Sequence, residues 1–229
     1  MASPIIVGTS NSQITDGTPS LTTVSTLSTT SKFIAFAGNH QGTIDAVTLN
    51  GTGLTKMVTA ATAFNETAEI WYLDNPGALT NVTLTGTFSG GSGRFLAYVC
   101  LEITKDGVED VEATNTGADT SPTVNITPLV NNSIVLACAY AEDNFTQGAG
   151  ETNLFILESD TFECGAGSYD IQGAIETQAM NFSIPTGQRW AIVAVAIAPA
   201  YQPSKLSMNV NINGATALRP AIFSPGVAR

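Results

Sequence analysis

The sequence predicts an all-β fold, a two-sheet antiparallel β-sandwich. Three observations predict it. Short apolar segments alternate with clusters of Gly, Asn, Asp and Pro, the rhythm of strands and turns. The segments are rich in Thr, Val and Ile, whose branched Cβ suits a pleated sheet better than a helix. No long stretch repeats apolar residues at helical spacing.

In chain order, strands are expected at Leu21–Leu27, Lys32–Gly38, Ile44–Leu49, Leu54–Thr59, Ala68–Asp74 and Asn81–Ser89. Further strands are expected at Arg94–Thr104, Thr123–Thr127, Ser133–Ala141, Leu154–Ser159, Ser168–Ile184 (as two strands) and Arg189–Pro199. Turn clusters separate them, among them Asp74-Asn75-Pro76-Gly77, Ser89-Gly90-Gly91-Ser92-Gly93 and Pro185-Thr186-Gly187. Asn50-Gly51 favours positive φ at both central positions of a type I′ turn, so a hairpin is expected there. Ala60, Ala61 and Ala63 admit one helical turn within Thr55–Phe64.

An internal echo refines the architecture. TVSTLSTTSKFIAFAG (Thr23–Gly38) parallels TVNITPLVNNSIVLACAY (Thr123–Tyr140), each a polar strand, a loop and an apolar strand. Each is followed later by Gly, Arg, an aromatic and a long apolar strand: SGRFLAYVCLEI (Ser92–Ile103) and TGQRWAIVAVAI (Thr186–Ile197). Two related half-folds suit a jelly roll, or double Greek key. The segments FIAFA, IVLACAYA, FLAYVCL and WAIVAVAI are almost continuously apolar, so they are expected at the centre with both faces covered.

Residues 1–19 read as an N-terminal extension, 20–200 as the sandwich and 201–229 as a C-terminal arm. In the arm Leu206, Met208, Val210 and Ile212 alternate with polar residues, and Asn213-Gly214 would close a β-hairpin. A lone hairpin is marginal in water, so its apolar face needs a surface, either this subunit's sandwich or, as the favoured reading, a neighbour's. These four side chains, with Ile5 and Val7 of the extension, are the expected intersubunit or partner contacts.

Of the 229 residues, 43% are hydrophobic and only 12% charged, which indicates a packed core rather than disorder. The net charge of −11, with no Lys/Arg cluster, excludes nucleic acid as the main partner. The N-terminus lacks the features of a signal peptide, and the longest apolar run, Trp190–Ala200, is too short to span a bilayer as a helix. A soluble product of the cytoplasm is therefore expected. Cys100, Cys138 and Cys164 have no CxxC spacing and read as reduced thiols, with a Cys100–Cys138 disulfide as the alternative.

The motifs for chemistry are thin. The single histidine, His40, follows an apolar strand in Gly38-Asn39-His40-Gln41-Gly42 and reads as a solvated loop side chain. No G-x-S-x-G elbow accompanies it. Metal ligands at zinc or EF-hand spacing are absent, and Asp106–Glu112 reads as a solvated acidic loop. Glu66, Glu69, Glu102 and Glu176 are candidates for a glycosidase pair, but one sequence does not show which face each other. SGGSGR at Ser89–Arg94 lacks the Lys-Ser/Thr ending of a phosphate loop. Trp71 and Tyr72 point to opposite faces of one strand; both read as packing, with sugar stacking by one of them as the alternative. No catalytic residue, metal or cofactor is expected.

In their order, KFIAFAG, IDAVTLNGTGLTKM, ETAEIWYLDNPGALTNVTLTGTF, RFLAYVCLEI and RWAIVAVAIAPA resemble a jelly-roll-like domain family of phage virion proteins and some bacterial surface proteins. The resemblance spans about residues 20–200 and leaves out the N-terminal segment, Val108–Ser121 and the tail. It implies a non-enzymatic structural role on a virion: capsid decoration or cement, head fibre or tail appendage. Homo-oligomers, with a trimer favoured, and the major capsid or other virion proteins are the implied partners. The alternative is a receptor- or carbohydrate-binding module of a tail or head fibre, for which a glycan is the partner. Neither nucleic acid nor membrane is expected as a partner, and the chain would reside in the virion after synthesis in the host cytoplasm.

Overall fold

The structure is a computed structural model that describes residues 5–11, 15–22, 27–102, 109–158, 163–199, 209–212 and 215–218. It is all-β, with antiparallel sheets of seven, five and three strands packed together. The first half contains β1 (Ile5–Asn11), β2 (Ser20–Thr22), β3 (Leu27–Leu49), β4 (Thr52–Gly53), β5 (Thr55–Ala61), β6 (Thr67–Leu79) and β7 (Thr83–Glu102). They form the seven-stranded sheet in the order β1-β7-β3-β6-β5, with β2 on β7 and β4 on β3. The second half contains β8 (Glu109–Gly117), β9 (Thr123–Ile126), β10 (Ser133–Ala141), β11 (Thr146–Gln147), β12 (Thr152–Leu157), β13 (Cys164–Gln172), β14 (Gln178–Ser183) and β15 (Trp190–Ile197). Its sheets run β12-β13-β10-β15-β8 and β11-β14-β9. A separate ladder pairs β16 (Asn209–Ile212) with β17 (Ala215–Leu218).

The two halves share one strand order. β1, β3, β5, β6 and β7 have the same neighbours as β8, β10, β12, β13 and β15, element for element. The echo read from the sequence thus marks a repeated unit whose two apolar strands pair with each other, β3 with β7 and β10 with β15. The halves differ in continuity. In the first, β7 passes through Gly90, Gly91 and Gly93 at positive φ and stays one strand, although the sequence suggests two. In the second, the corresponding path is broken into β14 and β15 around Pro185, which has no N–H for a ladder. Asn50 and Gly51 (φ 49° and 82°) make the expected turn between β3 and β4.

Three hydrophobic clusters explain the continuously apolar strands. Ile34 and Phe36 of β3 meet Ile134, Leu136, Cys138 and Tyr140 of β10 in a cluster between the two large sheets. The alternate residues Phe33, Ala35 and Ala37 face the bent-over part of the first sheet, with Val47, Leu49 and Leu84. Val135, Ala137, Ala139 and Ala141 face Met180 and Phe182 of the three-stranded sheet. Both faces are buried, so every position is apolar, and each large side chain contributes about 1.5–3 kcal/mol by burial.

Three expectations change. The acidic segment ending at Glu112 is expected as a loop; its described part opens strand β8, where Val111 and Ala113 pack on the second-half core and Glu112 is exposed. Too few apolar residues alternate there to signal a strand. The helical turn admitted within Thr55–Phe64 does not form: the strand expected at Leu54–Thr59 runs on to Ala61 as β5, because Val58 and Ala60 point inward with strand alternation. Residues of the N-terminal extension form β1 on the edge of the first sheet. All three cysteines are buried thiols outside any disulfide, and burial pushes the Cys138 thiol far up.

Glu151 joins β13 to β14 in the second half. Its Oε2 accepts from Ser168 Oγ (2.5 Å) and its Oε1 from the Asn181 backbone N–H (2.5 Å) and side-chain amide (3.1 Å). Burial nevertheless holds its pKa above the ordinary carboxylate value. An acid with a raised folded pKa loses stability as pH climbs from its unfolded to its folded pKa. Glu151→Gln is therefore expected to raise the melting temperature at pH 7 relative to pH 4, compared with the parent chain. Parallel melts at the two pH values check it, and an unchanged difference would refute it.

Candidate functional site

The repeated topology brings equivalent positions of the halves to one point. In the first half the β3–β6 register ends at Asn39↔Thr67, and His40 and Glu66 are the next residues. In the second, the β10–β13 register ends at Ala141↔Cys164, and Glu142 and Glu163 come next. The large sheets pack with these ends together, so the four side chains meet. Arg189, immediately before β15, joins them.

His40 lies at the centre. Its Nδ1 is 2.9 Å from Glu163 Oε1, which also accepts from Ser92 Oγ at 2.7 Å. Its Nε2 faces Glu142 Oε1 at 3.0 Å and Glu66 Oε1 at 3.7 Å. Arg189 places Nη2 2.5 Å from Glu142 Oε1 and Nε 3.2 Å from Glu66 Oε1, and its guanidinium covers the Phe64 ring at 4.2 Å. Glu66 is fully buried at the floor, whereas the His40 side chain is 16% exposed. An open pocket of about 680 Å³ reaches His40, Glu142 and Glu163 from solvent, past Asn144, Pro185 and Gln188. Asp143 borders it too, but its carboxylate accepts from the Thr186 N–H (3.0 Å), the Thr186 hydroxyl and the Asn144 N–H (2.8 Å). Those bonds, the Thr186 hydroxyl foremost, hold Asp143 below the ordinary carboxylate pKa.

Several buried atoms in the cluster lack hydrogen bonds. His40 Nε2, Glu66 Oε1 and Arg189 Nε face one another closely, but not in bonding alignment. The fully buried Tyr140 hydroxyl has no partner either. It lies beside Glu163: a Cβ on Gly93 would stand 2.4 Å from the hydroxyl and 2.6 Å from Glu163 Oε2. Burial, then the Glu163 charge, drive the Tyr140 pKa strongly upward, so the phenol stays protonated. Glu69 shows the contrast. It too is a buried carboxylate, yet it takes Lys56 Nζ (2.7 Å), Thr59 Oγ1 (3.0 Å) and Trp71 Nε1 (2.8 Å).

His40, read from the sequence as a solvated loop side chain, is thus a largely buried strand residue surrounded by carboxylates. Of the four glutamates weighed as an acid pair, Glu66 joins the site; Glu69 is ion-paired on β6, and Glu102 and Glu176 are exposed elsewhere. Glu142, Glu163 and Arg189 carry no motif that singles them out in the sequence. Trp71 is 6% exposed and bonded to Glu69, while Tyr72 is half-buried with Lys32 Nζ 4.5 Å from its ring centre. Ile5 is 59% exposed, and Val7 packs partly on its own chain's core. Val210 and Ile212 fall on β16; Leu206 and Met208 lie outside the described residues.

No family model, curated protein or solved structure significantly matches the chain. Among the described residues no helix is long and apolar enough to cross a membrane.

Proposed function

We propose that the chain is a phage virion structural protein, a capsid decoration or cement protein of the jelly-roll-like kind, that stabilises a shell by non-covalent binding. The observation that carries this reading is the placement of exposed aliphatic side chains. Ile5 (59% exposed) and Ile171 (45%) lie at strand ends remote from the His40 pocket, and Leu129 (65%) and Ile175 (55%) lie in the loops just before β10 and just after β13 at that end. Exposed aliphatics at one end of a rigid sandwich suit attachment to a larger surface. The motif order also supports it: four of the five stretches that resemble virion proteins form strands of the first half, and RWAIVAVAI supplies β15 of the second. Binding across subunit junctions adds buried area that rupture must expose. The terminal segments would tie copies into an oligomer, a trimer by preference.

Mass spectrometry of purified virions, followed by imaging, tests the reading. The chain is expected in the particle at stoichiometric copy number. Deleting Ser204–Arg229 is expected to weaken decoration while leaving the sandwich folded, and Leu129→Asp with Ile171→Asp to weaken it further. Absence from intact particles sinks the proposal.

A further inference from the structure

We propose that His40, Glu66 and Glu142 bind one divalent transition-metal ion of the zinc type, which clips the two halves of the chain together. One ligand atom from each lies within 4.8 Å of the others. The His40 Nε2 separations of 3.0 Å and 3.7 Å bracket the edge of about 3.4 Å that a tetrahedral ion with bonds near 2.1 Å requires. Small side-chain adjustments would complete the contact. The pocket leaves a further coordination position for water.

Three independent features point to a cation. The first is Glu66 Oε1, a fully buried carboxylate oxygen that faces His40 Nε2 at 3.7 Å and Arg189 Nε at 3.2 Å yet accepts no aligned hydrogen bond, whereas Glu69 nearby accepts from Lys56, Thr59 and Trp71. The second is charge. Three carboxylates, Glu66, Glu142 and Glu163, converge on His40, a concentration of acidic oxygens that a divalent cation would offset. The third is the other ring nitrogen. Glu163, itself fixed by Ser92, sits 2.9 Å from His40 Nδ1 and so directs the neutral tautomer's lone pair to Nε2. This carboxylate–histidine arrangement is the usual outer support of a metal ligand. The imidazole favours zinc and its neighbours over magnesium or calcium. Its ligands come from β3, from the residue before β6 and from the residue after β10, so the ion spans both halves.

The test uses the full chain, stripped with EDTA and titrated with ZnCl2 or MgCl2 by calorimetry. One zinc per chain is expected, with a Kd of roughly 1 μM or tighter, and no magnesium response. Zinc at a hundredfold excess over Kd is expected to raise the melting temperature by about 5–10 °C. Glu163→Gln should weaken zinc about 10–100-fold, and His40→Gln or Glu66→Gln by more, with folding checked by circular dichroism. X-ray absorption on the zinc-loaded parent chain requires no variant and should show one imidazole with carboxylate oxygens. No uptake by the parent chain, a zinc shell without imidazole, or unchanged affinity in a folded His40→Gln chain would overturn the proposal. None of these outcomes bears on virion incorporation.

Discussion

Phe95→Ala is expected to destabilise the chain by about 3–5 kcal/mol, the range for removing a buried aromatic. Phe95 is fully buried between the halves, stacked on Tyr140 at 6.2 Å and tilted against Phe155 at 5.8 Å. Its ring presses on two backbones that lack Cβ atoms. A methyl at Gly38 would stand 2.1 Å from Phe95 Cε1, and one at Gly165 2.4 Å from the same atom. Gly38→Ala alone is therefore expected to cost about 1–3 kcal/mol by overpacking, or more. The two changes should not add. With Phe95 truncated, the methyl introduced by Gly38→Ala occupies part of the cavity, so the double variant should be more stable than the sum implies. Urea denaturation of the four chains completes the cycle. Strict additivity would show that the ring does not lie over Gly38.

Arg189→Ala is expected to lower the stability of the chain in metal-free buffer. The guanidinium is 30% exposed, but the Glu66 carboxylate beneath it is fully buried. Removing the arginine leaves Glu66, Glu142 and Glu163 with His40 alone, and an uncompensated buried charge is far costlier than a surface pair. Adding Glu66→Gln to Arg189→Ala should restore much of the loss, because the charge left unpaired is then gone. Coincident denaturation curves of the parent and Arg189→Ala would show that the pair makes no net contribution.

Strand positions were legible where burial imposed a pattern. FIAFA, IVLACAYA, FLAYVCL and WAIVAVAI read as central because a strand covered on both faces needs an apolar residue at every position. Strand β8 was not legible, because Val111 and Ala113 alone carry its inward face. The breaks between strands were harder to place for a related reason. Glycines signal turns, yet those at 90, 91 and 93 let β7 bend without ending.

The site was half written in the repeat. Both halves place an Arg before the closing apolar strand, Arg94 and Arg189, and a Glu before the strand that follows the loop, Glu66 and Glu163. Aligning those positions would have drawn attention to His40 and Glu142, which follow the apolar segments FIAFA and IVLACAYA within a few residues. Read singly, His40 looks like a loop histidine beside Gly and Asn.

By itself the sequence determined the all-β class, the central strands, the turn at Asn50-Gly51 and the twofold repetition, because these follow from local propensity and side-chain periodicity. Tertiary structure alone decided that the two large sheets pack with His40 and Glu66 against Glu142, Glu163 and Arg189. Those residues lie far apart along the chain, and only the packing of one half on the other gathers their charges into a single, partly buried site.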